Sequence, residues 1–130
     1  MNNSTLKKDF YDKIYDKVYT IVSNISNQYL DNLTESARTY PFVTLKTSIE
    51  FENVGMKLVE DRGGKIRIVV YDLDYETMCD KVSLITEALE SGDDEMNILS
   101  WDEDDDQLDL ESDKPYYTAI DITVDLFPNG

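Results

Sequence analysis

The sequence predicts an α+β fold: a four-stranded, mainly antiparallel sheet with two helices packed on one face, in the order α-β-β-α-β-β. Three observations predict it. Two stretches carry apolar residues at the three- and four-residue spacing of a helix face. Four others read as strands, two of them with apolar and polar residues in alternation. Turn-forming residues separate these stretches, and 130 residues suit one domain spanning 1–130.

The first helix is expected over about 5–34. Leu6, Phe10, Ile14, Val18, Val22, Ile25, Tyr29 and Leu33 fall on one face. Tyr11, Tyr15 and Tyr19 add a second stripe beside it, so the apolar face is wide enough for a sheet and a neighbour. Ser4 is the expected N-cap, and Asp9, Asp12, Lys13 and Lys17 flank the stripe as solvated charge. Tyr40-Pro41 closes the helical region, because the residue before a proline is pushed out of helical geometry.

A strand follows, in which Val43, Leu45, Thr47, Ile49 and Phe51 alternate with Thr44, Lys46, Ser48 and Glu50. Met56–Glu60 is expected to extend it or to form a hairpin arm, and Asp61-Arg62-Gly63-Gly64 reads as a turn. The second strand, Lys65–Leu73, has Ile66, Ile68 and Val70 on one face and Val69 and Tyr71 on the other. Apolar residues on both faces predict a central strand, or one covered by a partner. Asp72 or Asp74 caps the second helix, with Glu76 in its first turn. Tyr75, Met78, Cys79, Val82, Ile85, Ala88 and Leu89 form its apolar face, and Ser91-Gly92 ends it. Met96–Trp101 reads as a short third strand, 102–114 as an acidic loop, and Tyr116–Phe127 as the last strand.

Charge is the most informative feature. From Glu90 to Asp113 the chain holds twelve of its 28 acidic residues and no Lys or Arg, against a net charge of −16. The protein therefore displays one acidic surface, expected to repel nucleic acid and anionic membrane and to attract a basic partner or a cation. Binding to phosphate backbones needs Lys and Arg to displace counterions, so it is not expected. Met1–Asp9 lacks the apolar core of a signal peptide, and no apolar run is long enough to span a membrane. A single cysteine, Cys79, allows no internal disulfide and suits a reducing compartment.

The chain has no histidine, which removes the commonest general base and transition-metal ligand. Cys79 sits on the apolar helix face, where a thiol is packing. Gly63-Gly64 lacks the Lys and Ser/Thr of a phosphate loop. No enzyme and no cofactor are expected. Asp102, Asp104, Asp106 and Asp113 fall at positions 1, 3, 5 and 12 of a calcium loop. Gln107 stands where the turn needs Gly, Asp113 stands where Glu is needed, and the flanks read as strands, so no metal site is expected. Trp101 abuts the acids, as a core lid or as a contact for a basic partner.

The whole pattern resembles the tail terminator (tail completion, head-tail joining) proteins of long-tailed bacteriophages. The likeness is carried by the polar end of the first helical region, Leu30-Asp-Asn-Leu-Thr-Glu-Ser-Ala-Arg, and the strand start Tyr40-Pro41-Phe42-Val43-Thr44-Leu45. Lys65-Ile-Arg-Ile-Val-Val-Tyr-Asp-Leu-Asp, running into a helix, and the final strand Thr118-Ala-Ile-Asp-Ile-Thr-Val-Asp-Leu complete it. The resemblance implies a structural virion protein at the tail-neck junction, assembled in the host cytoplasm. It implies a homo-oligomer, a hexameric ring that caps the tail tube, ends its elongation and docks neck or connector proteins, with DNA passing through unbound. Asp102, Glu103, Asp104, Asp105, Asp106 and Asp109 would then line the channel or face a basic partner. Rings need two different patches per subunit, and Tyr11, Tyr15, Tyr19, Val69 and Tyr71 are the candidate subunit interface. The chain departs from the family pattern in the length and acidity of its third loop. The competing readings are an acidic nucleic-acid mimic that occupies the groove of a host DNA-binding protein, and an adaptor or immunity-type protein for a basic partner.

Overall fold

The computed structural model describes residues 3–53, 60–90 and 96–126. Helix α1 (Asn3–Tyr19) leads into strand β1 (Ile25–Ser26) and two short 3-10 turns, Leu30–Asn32 and Glu35–Ala37. Strands β2 (Phe42–Asn53) and β3 (Glu60–Asp72), helix α2 (Tyr75–Glu90), and strands β4 (Met96–Gln107) and β5 (Tyr116–Leu126) follow. The sheet is five-stranded and mixed, in the order β1-β2-β3-β5-β4, with β1 parallel to β2 and the other pairings antiparallel.

This corrects the expected four-stranded, mainly antiparallel sheet in the order α-β-β-α-β-β. The fifth strand comes from the segment read as the second half of a long helix. The helix ends at Tyr19 rather than near 34. The residues after it, Thr20-Ile21-Val22-Ser23-Asn24, are β-branched or carry side chains that compete for backbone hydrogen bonds, and both disfavour helix. Val22 stays in the core. The chain then turns so that the Val43 amide donates to the Asn24 carbonyl (2.9 Å) and Ile25 pairs with Val43. Helical spacing persisted because Val22 and Ile25 still point at the core, without helical backbone between them.

Both helices pack on one face of the sheet. Phe10, Ile14 and Val18 of α1 and Met78, Val82, Ile85 and Leu89 of α2 meet Val43, Leu45, Ile66, Ile68, Val70, Ile120, Ile122 and Val124. Helix α1 lies over β2, and α2 over β3 and β5. Lys17 Nζ donates to the Ala88 carbonyl (3.4 Å) and ties the helices together. Gly63-Gly64, read as a turn, lies inside β3 opposite Glu50 and Ile49. A Cβ on Gly64 would stand 2.8 Å from Val124 Cγ2 and 2.9 Å from Phe10 Cζ, so the glycine is there to let α1 sit down on the sheet. The α2 cap is Asp74. Its carboxylate accepts from the Thr77 amide (3.1 Å) and hydroxyl (2.6 Å), and these bonds hold it below the usual carboxylate range. Ser4 lies within α1. Of the expected arm at Met56–Glu60, Glu60 opens β3 and 56–59 lie outside the described residues, as do the Ser91-Gly92 cap and the strand end at Phe127.

The opposite face is covered at one end only. Leu30, Phe42, Val69, Tyr71 and Ala119 form a second buried cluster, with Tyr29, Leu33, Tyr40, Leu108, Leu110 and Tyr117 around it. The covering segment is the turn-rich connection from β1 to β2, together with the β4–β5 connection.

Candidate functional site

The acidic run is an edge strand. β4 continues through Gln107, so Asp102–Asp106 are strand residues, which corrects the expected loop over 102–114. Consecutive Asp and Glu have little intrinsic strand preference. Here they take strand geometry from β5, which pairs with β4 from Met96↔Leu126 to Gln107↔Tyr116. A register irregularity between Ile98 and Ser100 leaves Leu99 out of the ladder, 61% exposed.

Strand alternation splits the acids into two sets. Trp101, Glu103 and Asp105 lie opposite Ile122, Ile120 and Thr118, on the helix side. Trp101 packs partly buried against the main core, as a lid. Asp105 accepts from the Thr118 hydroxyl (2.8 Å) and the Tyr75 hydroxyl (3.2 Å), and so fastens β4 to β5 and α2. Hydrogen bonds to Cys79 and then to Asp105 push the Tyr75 phenol up to about 12. Between α2 and β4 runs an open groove of about 380 Å³, lined by Cys79, Val82, Ser83, Glu103, Asp105 and Thr118.

Asp102, Asp104 and Asp106 lie on the other side, opposite Asp121, Ala119 and Tyr117. The Asp102/Asp121 pair sets like charges directly across two strands, which is unfavourable. Arg67 offsets it, its Nη1 donating to both carboxylate oxygens of Asp121 (2.9 and 2.8 Å). One row of the sheet thus reads Lys46, Arg67, Asp121, Asp102, basic on the β2 side and acidic on the β4 side. The Lys46 ammonium and the Arg67 guanidinium both stand over the Tyr29 ring, 4.6 and 5.8 Å from its centroid. Burial, with the charges of Asp106 and Asp104, pushes the Tyr117 phenol up.

No family model matches this chain, and no curated protein matches it. A solved structure does. A chain of the virion of a native gene transfer agent particle superposes with a TM-score of 0.52 at 10% identity, covering 88% of this chain and 92% of that chain. The likeness is one of fold.

The remaining candidate residues separate in space. Asp109 lies in the β4–β5 connection, exposed, with Lys114 at 3.7 Å. Asp113 accepts a hydrogen bond from the Tyr40 hydroxyl and has Arg38 at 3.8 Å, so it anchors the covering segment. Burial and then that hydrogen bond raise the Tyr40 phenol. A strand sets alternate carboxylates about 6.6–7 Å apart, so Asp102, Asp104 and Asp106 do not converge as a calcium loop would. Among the described residues no group of three or more His, Cys, Asp or Glu could hold a metal ion. Tyr11, Tyr15 and Tyr19 form a ladder of rings along α1, with centroids 5.9 and 5.7 Å apart. Val69 and Tyr71 are buried within the chain beneath its own covering segment. Sequence reasoning missed the tie residues Tyr75 and Thr118 and the Arg67–Asp121 pair. All depend on register, which a single strand pattern does not carry.

Proposed function

We propose that this chain is a structural protein of a phage-like virion and that it acts there as a tail terminator. In this role it forms a ring that caps the tail tube, ends elongation and receives the neck or connector proteins. The observation that carries the reading is the fold match to a virion chain, which runs over 88% of this chain and 92% of the other.

The acidic edge strand fits the role. Asp102, Asp104 and Asp106 point to the side of the sheet away from the helices, where they would border a DNA channel or meet a basic tube or neck surface. A wall of like charge keeps passing DNA from sticking. The nucleic-acid-mimic reading draws on the same carboxylates, but their sheet face also carries Lys46, Lys65 and Arg67. Cations on the same sheet face weaken any imitation of a phosphate backbone.

The test is to purify particles from cells that produce this protein, quantify the chain by mass spectrometry, and locate it with gold-labelled antibody. A few copies per particle at the junction of head and tail are expected. A chain absent from particles but co-purifying with a DNA-binding protein would replace the virion reading with the mimic.

A further inference from the structure

The two lateral flanks of the molecule differ in shape and chemistry. On one flank is the free edge of β2. Strand β1 pairs only with Val43 and Thr44, and among the described residues no strand pairs with β2 beyond them on this edge, the other edge being taken by β3. The tyrosine ladder of α1 lies above that edge. Helix geometry places it: at 100° per residue, Lys13 and Lys17 fall on one side of the core residues Phe10, Ile14 and Val18, and Tyr11, Tyr15 and Tyr19 on the other. Lys17 reaches the Ala88 carbonyl of α2, so the tyrosines face away from α2, outward over β2. Phe10 meets the chain at Gly64, the partner of Ile49, so the ladder runs beside the unpaired part of β2. Tyr19 is 52% exposed, and the exposed Lys8 and Asp12 beside the stripe offset each other in charge, so what the ridge offers is phenol donors.

On the opposite flank β4 projects as a shelf past α2, its outer edge unpaired among the described residues. The groove between shelf and helix holds the Glu103 and Asp105 carboxylates. One flank is a ridge of phenol donors. The other is a groove of carboxylate acceptors. Phenol to carboxylate is a charge-assisted hydrogen bond. The strand directions also agree. β2 and β4 run antiparallel within the sheet, so a β4 shelf laid beside the β2 edge of a like-oriented copy would form an antiparallel ladder. Two β4 edges paired about Asp104 would set acid against acid, which is unfavourable.

We infer that copies of this chain join head to tail, the Tyr11–Tyr15–Tyr19 ridge and free β2 edge of one copy seating against the α2–β4 groove and shelf of the next. The contact is heterologous, so it generates rings or open chains rather than closed pairs. The inference deepens the assembly reading above and rests on it. The acids then divide between two roles. Glu103 and Asp105 face the neighbouring subunit, and Asp102, Asp104 and Asp106 stay on the open sheet face.

The experiment is sedimentation of the full chain over a concentration series, with two variants. Tyr15→Ala/Tyr19→Glu spoils the ridge and leaves the groove. Ser83→Arg fills the groove and leaves the ridge, from an exposed position on α2. The wild-type chain is expected to form species larger than a dimer. Each variant alone is expected to associate about tenfold more weakly or worse. Mixed, the two variants should form a one-to-one dimer and stop, because only one good ridge and one good groove remain. Circular dichroism checks that both variants fold. If either does not, hydrogen exchange on the wild type replaces it, with β2 amides at 45–49 and β4 amides becoming protected together as concentration rises. A wild-type chain that stays monomeric at every concentration overturns the inference, as does a single variant that dimerises alone. Oligomers that survive both substitutions sink this interface but leave the virion reading standing. Head-to-tail assembly by a chain absent from particles does the reverse.

Discussion

Strands β3 and β4 pair with β5 on its two sides, and opposite forces hold them. β3 is buried on both faces: Ile66, Ile68 and Val70 lie under the helices, and Val69 and Tyr71 under the covering segment. β4 has a partner on one side only, and its five consecutive acids Asp102–Asp106 are exposed. The same backbone geometry is therefore stabilised by apolar burial in one strand and by ladder hydrogen bonds plus a few side-chain ties in the other. Stability is concentrated where the sequence is neutral, and the charged edge is free to serve recognition.

The contrast is tested most severely by removing a side chain from β3. Ile68→Ala should cost about 2–5 kcal/mol in chemical denaturation, because a fully buried site cannot collapse around the loss. A cost under about 1 kcal/mol, the size of an ordinary surface change, would mean that β3 is not the stability centre. Next in size, Gly64→Val should cost about 1–3 kcal/mol by pushing Phe10 of α1 off the sheet. The accompanying change should be faster exchange of α1 amides, with α2 unaffected.

On β4 the effects should be smaller. Asp105→Ala removes the acceptor for Thr118 and Tyr75 and should cost about 1 kcal/mol. It should also lower the Tyr75 phenol from about 12 toward its ordinary value, read by ring NMR shifts during titration. The linkage has a definite sign. A phenol raised on folding contributes stability that is complete below pH 10 and is lost as pH rises from 10 to about 12. The variant should lose less over that window than the wild type. Smallest of all, Asp102→Asn/Asp104→Asn/Asp106→Asn should change stability by no more than about 0.5 kcal/mol, or raise it, since like-charge repulsion falls. A loss above about 2 kcal/mol would show that the open-face acids carry structure.

Legibility in the sequence followed the same division. The alternation of β2 and β5, the two apolar faces of β3 and the apolar face of α2 were all readable, because burial selects residue type. The end of α1 was not. Val22, Ile25, Tyr29 and Leu33 keep helical spacing while the backbone between them forms a strand and turns, and periodicity reports only which residues face a core. The acids of β4 were readable as a surface but not as a strand, since a run of one residue class has no alternation to betray its pleat.

Composition and spacing were enough to specify two apolar-faced helices on a sheet, a doubly buried β3, and an acidic run placed outside the core. Local chemistry dictates these features, because the choice of apolar or polar residue at each position marks the buried side of an element. Other features came from packing alone: which acids share a face, how Arg67 shields Asp121, and how the chain's own β1–β2 connection covers Val69 and Tyr71. Packing also put the tyrosine ladder and the acidic shelf on opposite flanks. Each depends on strand register and on helix placement over the sheet, and those are fixed by contacts between residues far apart in the chain.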